Sequence, residues 1–234
     1  MSSSAPRDSA AFEVREALGL PGCAVCQLAV RSVGRLIHSV AYEQVNDPGL
    51  RKELRAARGF CNEHAHRWLR EAHSVLGTAL IYRDVLSAAL DAFDSGAGTN
   101  GQRSGLWRGL LGGSVGNGHE GLCPACRVQT EAEARYLEAL VASLDADPEV
   151  ARALDHSDGL CRRHTLAALR IGGTGASRIL DRTRRAMEEL LRDLDEVVRK
   201  EDYRFRDEPR TDGERTAPAR SIDWAAGVEG LVDA

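Results

Sequence analysis

GFCNEHAH, residues 59–66, and GLCRRHTL, residues 159–166, decide how this chain is read. Each places a cysteine three residues before a histidine, Cys61 with His64 and Cys161 with His164. Each is preceded by a Cys-x-x-Cys pair, Cys23 with Cys26 and Cys123 with Cys126, and 34 residues separate that pair from the next cysteine in both cases. The whole pattern recurs with a period of 100 positions and uses all 6 cysteines of the chain. Asp47-Pro48 recurs as Asp147-Pro148 and Arg35 as Arg135, so the repeat is wider than its cysteines. A fixed period of this kind signals an internal duplication and precedes any fold argument.

Two copies follow, at 20–94 and 120–202. An N-terminal extension covers 1–19, a Gly/Ser-rich linker 95–119, and a tail with a short docking helix 203–234. Within the linker, GLWRGLL has the composition of a single helical turn. Glycine- and serine-rich segments of this sort behave as flexible coils.

Each copy is read as a long helix, a short helix and a second long helix. Val25, Leu28, Val33, Leu36, Ile37 and Val40 recur at helical spacing. That helix stops near Asn46, because the residue before a proline avoids the helical region. Asp47 then caps a short helix with Pro48 in its first turn, and Gly59 ends it. A third helix starts at Cys61 or Asn62 and runs through Phe93, burying Trp68, Leu69, Ala72, Leu76, Leu80 and Val85. The second copy repeats the plan with Val128, Ala132, Tyr136, Leu137, Leu140, Val141 and Leu144, but GGTG at 172–175 should break its last helix, since glycine is costly inside one. No strand-like alternation of any length is present. The fold class is all-α, two tandem long–short–long helical units forming a bundle.

Cysteine and histidine at i and i+3 in a first helical turn can face one point, and the helix dipole there favours thiolate over thiol. The reading groups Cys23, Cys26, Cys61 and His64 into one Cys₃His set and Cys123, Cys126, Cys161 and His164 into another. Three thiolates and an imidazole form a common tetrahedral structural zinc arrangement. Two Zn²⁺ per chain are expected, ahead of iron or an iron–sulfur cluster. Arg127, Arg162 and Arg163 are available to offset the negative charge. Buried free cysteines would predict neither the short spacing nor its repetition, and disulfides would leave one of three cysteines per copy unpaired. His38, His66, His73, His119 and His156 have no partner at ligand spacing.

These residues resemble an uncharacterised prokaryotic family, a domain of unknown function. Its members are similar in their duplicated Cys-x-x-Cys, Asp-Pro and Gly-Phe-Cys-x-x-His. Here the matching residues are Cys23, Cys26, Asp47, Pro48, Gly59, Phe60, Cys61 and His64, then Cys123, Cys126, Asp147, Pro148, Gly159, Cys161 and His164, with Leu160 in place of the phenylalanine. The resemblance spans about 20 to 210 and implies a metal-binding helical protein without supplying an activity.

At 234 residues and 43% hydrophobic, the chain can bury a core. A net charge of -4 gives no global attraction to nucleic acid or anionic membrane. Arginine dominates the basic residues, Lys52 and Lys200 being the only lysines. YRFR at 203–206 and Arg182, Arg184 and Arg185 are interspersed with acids and read as a mixed solvated face. The first residues contain no apolar signal core, and no apolar run approaches the ~18 residues of a membrane span. The expected compartment is the cytoplasm, where patterned cysteines bind metal or do redox chemistry. The leading expectation is a non-catalytic zinc protein that binds a protein partner, without nucleic acid or membrane. One alternative is a thiol/zinc redox-responsive protein. Another is an enzyme with a site between the copies, drawing on Tyr82, Asp84, Glu131, Arg135, Tyr136 and Glu138. A last expectation is that the tail folds back, Ser221 capping a helix in which Ile222, Ala225, Val228 and Leu231 share a face beside Trp224, with Tyr203 and Phe205 anchoring the approach.

Overall fold

The computed structural model describes residues 5–97 and 123–232. Among them the regular structure is helical throughout, with no strand. The helices are α1 (Ala5–Leu18), α2 (Ala24–Ser39), α3 (Pro48–Ala56), α4 (Asn62–Glu71), α5 (Val75–Ala97), α6 (Pro124–Ala146), α7 (Pro148–His156), α8 (Arg162–Ile171), α9 (Gly173–Lys200) and α10 (Asp212–Ala226). A π-helical turn, Val40–Gln44, continues α2. No described helix is long and apolar enough to cross a membrane. The linker expected at 95–119 falls outside the described residues, except that 95–97 complete α5.

The caps form as the sequence implies. The Asp47 carboxylate accepts the Leu50 N–H at 2.7 Å, and that of Asp147 accepts the Glu149 N–H at 2.8 Å, with a proline opening each short helix. Gly172, at φ 80°, separates α8 from α9, as GGTG predicts. The first copy breaks at the same place without a glycine. α4 ends at Glu71 and α5 begins at Val75, with His73 at φ 45° and the Ser74 hydroxyl accepting the Gly77 N–H at 3.1 Å. The single helix expected from Cys61 to Phe93 is therefore two. The break turns Leu69 and Leu76 outward, where they are 60% and 70% exposed, while Trp68 and Ala72 stay buried.

The chain divides into two compact units, and neither coincides with one copy of the repeat. The first comprises Met1–Ser32 and Gln129–Asp233, the second Val33–Val128. Each unit takes the opening turns of one long helix and the remainder of the other.

In the first unit, Val14, Ala17 and Leu18 of α1, Val25 and Leu28 of α2, and Tyr136, Leu140 and Leu144 of α6 form one core with Val150, Leu154 and Ile179. The N-terminal segment, expected as an extension, is thus a core helix. α1 packs on α7, and the Tyr136 hydroxyl donates to Glu13 at 2.9 Å. α10 packs on α9 and α8. The tail does fold back, but its helix starts at Asp212, with Thr211 and Glu214 forming a capping box, whereas Ser221 lies inside it. Ile222 and Tyr203 are 64% and 78% exposed, and the apolar contacts come from Val228 and Leu231. The Lys200 ammonium holds both oxygens of Glu214 at 2.8 Å, the two side chains each 7% exposed.

In the second unit, Val33, Ile37 and Val40 of α2 pack with Leu54, Phe60, Trp68 and Ile81, and with Cys123 and Ala125 at the start of α6.

Candidate metal centres

All eight predicted ligands sit at helix N-termini. Cys23 and Cys123 directly precede α2 and α6, and Cys26 and Cys126 lie in the first turns. Cys61 and Cys161 are the N-cap residues of α4 and α8, with His64 and His164 in the turns that follow. The approach to each N-cap is shaped by a glycine. Gly59 has φ 95° and Gly159 φ 74°, a region other residues enter at a cost. A Cβ on Gly159 would meet the Thr183 Cα at 2.8 Å, and one on Gly59 the Tyr82 ring at 3.2 Å. Thr183 also accepts the Leu160 N–H at 3.1 Å, which fixes the loop delivering Cys161.

The ligand pairs meet across the repeat. Cys23 and Cys26 stand with Cys161 and His164 in the first unit, and Cys123 and Cys126 with Cys61 and His64 in the second, the four donor atoms of each group within 4.8 Å of one another. The expected groupings, Cys23 and Cys26 with Cys61 and His64, and Cys123 and Cys126 with Cys161 and His164, are corrected accordingly. Helix lengths give the reason. α2 and its π-helical turn carry the chain away over 16 and then 5 residues, roughly 30 Å, whereas the 9 residues of α3 return it by only about 13 Å. Cys61 therefore arrives beside the far half of α2, where the second copy supplies its Cys-x-x-Cys.

In the first group, His164 Nδ1 lies 3.4, 3.3 and 3.2 Å from the Sγ atoms of Cys23, Cys26 and Cys161, and Cys26 Sγ lies 3.5 Å from Cys161 Sγ. In the second, His64 Nδ1 lies 3.2, 3.7 and 3.4 Å from Cys61, Cys123 and Cys126, and Cys126 Sγ lies 3.6 Å from Cys61 Sγ. A tetrahedron with Zn–S of ~2.3 Å and Zn–N of ~2.05 Å has edges of about 3.8 Å between sulfurs and about 3.6 Å between sulfur and nitrogen. The separations of 3.2–3.7 Å lie near or somewhat inside those edges, and all six cysteines are free thiols.

Electrostatics within each group point the same way. The Cys23 and Cys26 thiols donate to Cys161 and hold its pKa far below the ordinary value, while that shared charge drives the Cys26 pKa up. Cys126 donates to Cys123, and with His64 and the Cys61 and Cys126 backbone N–H groups it brings the Cys123 thiol down to about 3, while Cys126 is raised. One thiolate per group is thus stabilised by protein alone, and a second is opposed by the first. Burial resists charge on His164, but Cys161, Cys23 and Glu133 outweigh it and lift its pKa to about 11. A cation at the centre supplies the charge that would let all three sulfurs ionise.

The surroundings of the two groups differ. Around His164, Glu133 Oε2 lies 3.9 Å from Nε2 and pairs with Arg163, while Gln129 donates to Glu133 Oε1 at 3.0 Å. Gln129 also clamps Val232, donating to its carbonyl at 2.8 Å and accepting its N–H at 3.1 Å. A carboxylate behind a ligand histidine orients the ring and raises its basicity. The equivalent of Glu133 in the first copy is Val33, so the difference lies in the nearby carboxylate, while both His64 Nε2 and His164 Nε2 are buried without a hydrogen bond to a described residue. Burial differs too. All four ligands of the first group are buried, whereas Cys61 and Cys126 of the second are half-buried. Glu133, Gln129 and Arg163 carry no repeat signal in the sequence, since the first copy has Val33, Ala29 and Glu63 at the matching positions.

Several of the other candidates have structural partners, whereas the buried Tyr82 hydroxyl has no hydrogen-bond partner among the described residues. Asp84 is held by Arg51 at 2.6 Å and Arg55 at 3.0 Å, Arg135 sits over the Tyr136 ring at 4.4 Å, and Arg127 pairs with Glu53 at 2.8 Å. Arg182 donates to the Ser157 carbonyl at 2.6 Å, Arg184 pairs with Glu188 at 3.2 Å, and Arg204 with Asp202 at 2.7 Å. His66 and His73 are exposed, His38 stacks on Tyr42, and His156 bonds the Arg152 carbonyl. His119 lies outside the described residues.

No family model matches the chain. It is 25% identical over 214 residues to an "Uncharacterized 23.9 kDa protein in xynA 3'region" of Caldicellulosiruptor sp. (strain Rt8B.4), covering 88% of this chain and 96% of that protein. No solved structure matches.

Proposed function

We propose that the protein binds two zinc ions, one in each Cys₃His group, and that they serve as cross-links in a non-catalytic cytoplasmic protein that presents its helical surface to a protein partner. The observation that carries the reading is the donor set: two groups of three sulfurs and one imidazole nitrogen, the atoms of each within 4.8 Å of one another, a composition that suits tetrahedral zinc. Zinc would supply a redox-inert cation that keeps the three sulfurs ionised. Cys26, Cys161 and their companions would then tie the N-terminus of α2 to that of α8, and Cys61, Cys126 and theirs would tie α4 to α6. Four protein donors complete a tetrahedron, which supports a structural rather than a catalytic role.

The half-burial of Cys61 and Cys126 favours one second reading, a redox response confined to the second group. In it, oxidation would pair two thiolates and release that zinc.

Metal analysis of protein purified without added metal or chelator tests the proposal. Two zinc per chain is the expected result, with a melting temperature that falls in strong chelator. Protein containing no tightly bound metal, and melting unchanged with chelator, refutes it.

A further inference from the structure

Beside the first cysteine group, within the first unit, lies a cavity of about 90 Å³. Cys23 and Cys161 form part of one wall, Leu160 and Leu190 are apolar parts of the lining, and Asp223 and Trp224 of α10 close it. A wider groove of about 770 Å³ shares Asp158, Arg220 and Asp223 with it. A buried water occupies ~10–15 Å³ on this measure, so the cavity has room for a small organic molecule.

The polar groups of the wall are unequally satisfied. Arg220 lies 3.6 Å from Asp158 and 3.3 Å from Asp193. Asp158 also accepts the Gly22 N–H at 2.7 Å. The Asp223 carboxylate, by contrast, has no hydrogen bond or ion pair to any described residue, and burial pushes its pKa up. Its neighbour Trp224 carries a buried Nε1–H with no acceptor among the described residues. The half-buried Asp223 carboxylate therefore offers an unused acceptor to an incoming molecule, while the Trp224 Nε1–H is covered and packs beside it. The charged lining residues Asp158, Asp223 and Arg220 sum to one negative charge, which favours a cation over an anion.

We propose that this cavity binds a small organic amine: its ammonium on Asp223 and a short aliphatic body against Leu160 and Leu190, beside the Trp224 ring. The recognising carboxylate lies on α10, so the proposal stands apart from the zinc reading. It goes beyond that reading by assigning a ligand site to a protein otherwise described by its metals.

The test uses the full chain at measured metal content, with the Trp224 indole N–H resonance assigned through Trp224→Phe. Alaninamide, propanamide and propionate share a size but differ in the ammonium and in charge. Alaninamide should shift the Trp224 resonance saturably at millimolar concentration, propanamide should bind several-fold more weakly, and propionate should not bind. Asp223→Asn should weaken alaninamide about ten-fold, the loss of one hydrogen bond to a charged group, without altering metal content or melting. No saturable shift, equal binding of propionate, or unchanged affinity in Asp223→Asn overturns the proposal. Metal content within the same samples reports separately on the zinc reading.

Discussion

Pairing ligand substitutions two at a time separates the exchanged grouping from the sequential one. Cys26→Ser alone should leave one zinc per chain, and so should His64→Ala alone. Their combination is decisive. Cys26 and His64 belong to different groups in the structure, so Cys26→Ser with His64→Ala should bind no zinc, whereas a sequential grouping would leave one. Cys26→Ser with His164→Ala should retain one zinc, because both changes fall on the same group. The stability cost follows from the loops closed. Cys26 and Cys161 are 135 residues apart and Cys61 and Cys126 are 65 apart. Treating each metal as a cross-link, the chain-entropy estimate is about 5 kcal/mol for the first and about 4 kcal/mol for the second. Either is a large share of the ~5–15 kcal/mol that stabilises a typical domain. Zinc content by mass spectrometry under native conditions and urea titration of each variant read both quantities. One zinc in the Cys26→Ser, His64→Ala double variant refutes the exchanged grouping.

Four further outcomes are expected. Gly159→Ala should lower the melting temperature by several degrees more than Gly172→Ala, since both glycines have positive φ but only Gly159 faces the Thr183 backbone at 2.8 Å; equal losses would contradict the close approach. Lys200 holds the Glu214 carboxyl below its ordinary pKa of 4.5, so this contribution is complete above about that pH and is lost as pH falls through the lower folded value. Glu214→Gln should flatten that part of the acid unfolding curve, and an unchanged curve counts against it. In mass-resolved alkylation of the native protein, Cys61 and Cys126 should be modified before Cys23, Cys26 and Cys161, as their burial dictates; simultaneous modification would show that exposure does not set the order. Truncation after Asp202 should lower thermal stability, because it removes α10, the Val228 and Leu231 contacts and the Gln129–Val232 clamp; an unchanged melting temperature would show that the tail carries none.

The Cys/His motifs and the helical class were legible because they rest on local rules. Cys-x-x-Cys, Asp-Pro caps and helical apolar spacing each act within a few residues, and the structure has them where the sequence puts them. The grouping was not legible from the motifs, since a period of 100 residues makes Cys61 and Cys161 interchangeable to a reader of patterns. Comparing the length of α2 with that of α3 would have favoured the exchange. α1 carries a helical signal of its own: Ala10, Val14, Ala17 and Leu18 are spaced as one helical face and all are buried. The break at His73 had no local marker, because a left-handed histidine is selected by what surrounds it rather than by its own propensity.

The exchanged ligand pairs bear on how the chain is made. The tie between Cys61 and Cys126 lies in sequence wholly inside the tie between Cys23 and Cys161. A ribosome releases Cys23, Cys26, Cys61 and His64 first, which is a complete Cys₃His set with the wrong members. Roughly 60 further residues must then be added before Cys123 emerges, a wait of about 3–12 s at typical elongation rates. On the proposed zinc reading, an ion that settles in the nascent set during that interval locks the first copy on itself, and correct assembly requires it to be surrendered to the later cysteines. The speed of translation across the middle of the message, and the exchange rate of zinc among free thiols, would then be determinants of the yield of native protein.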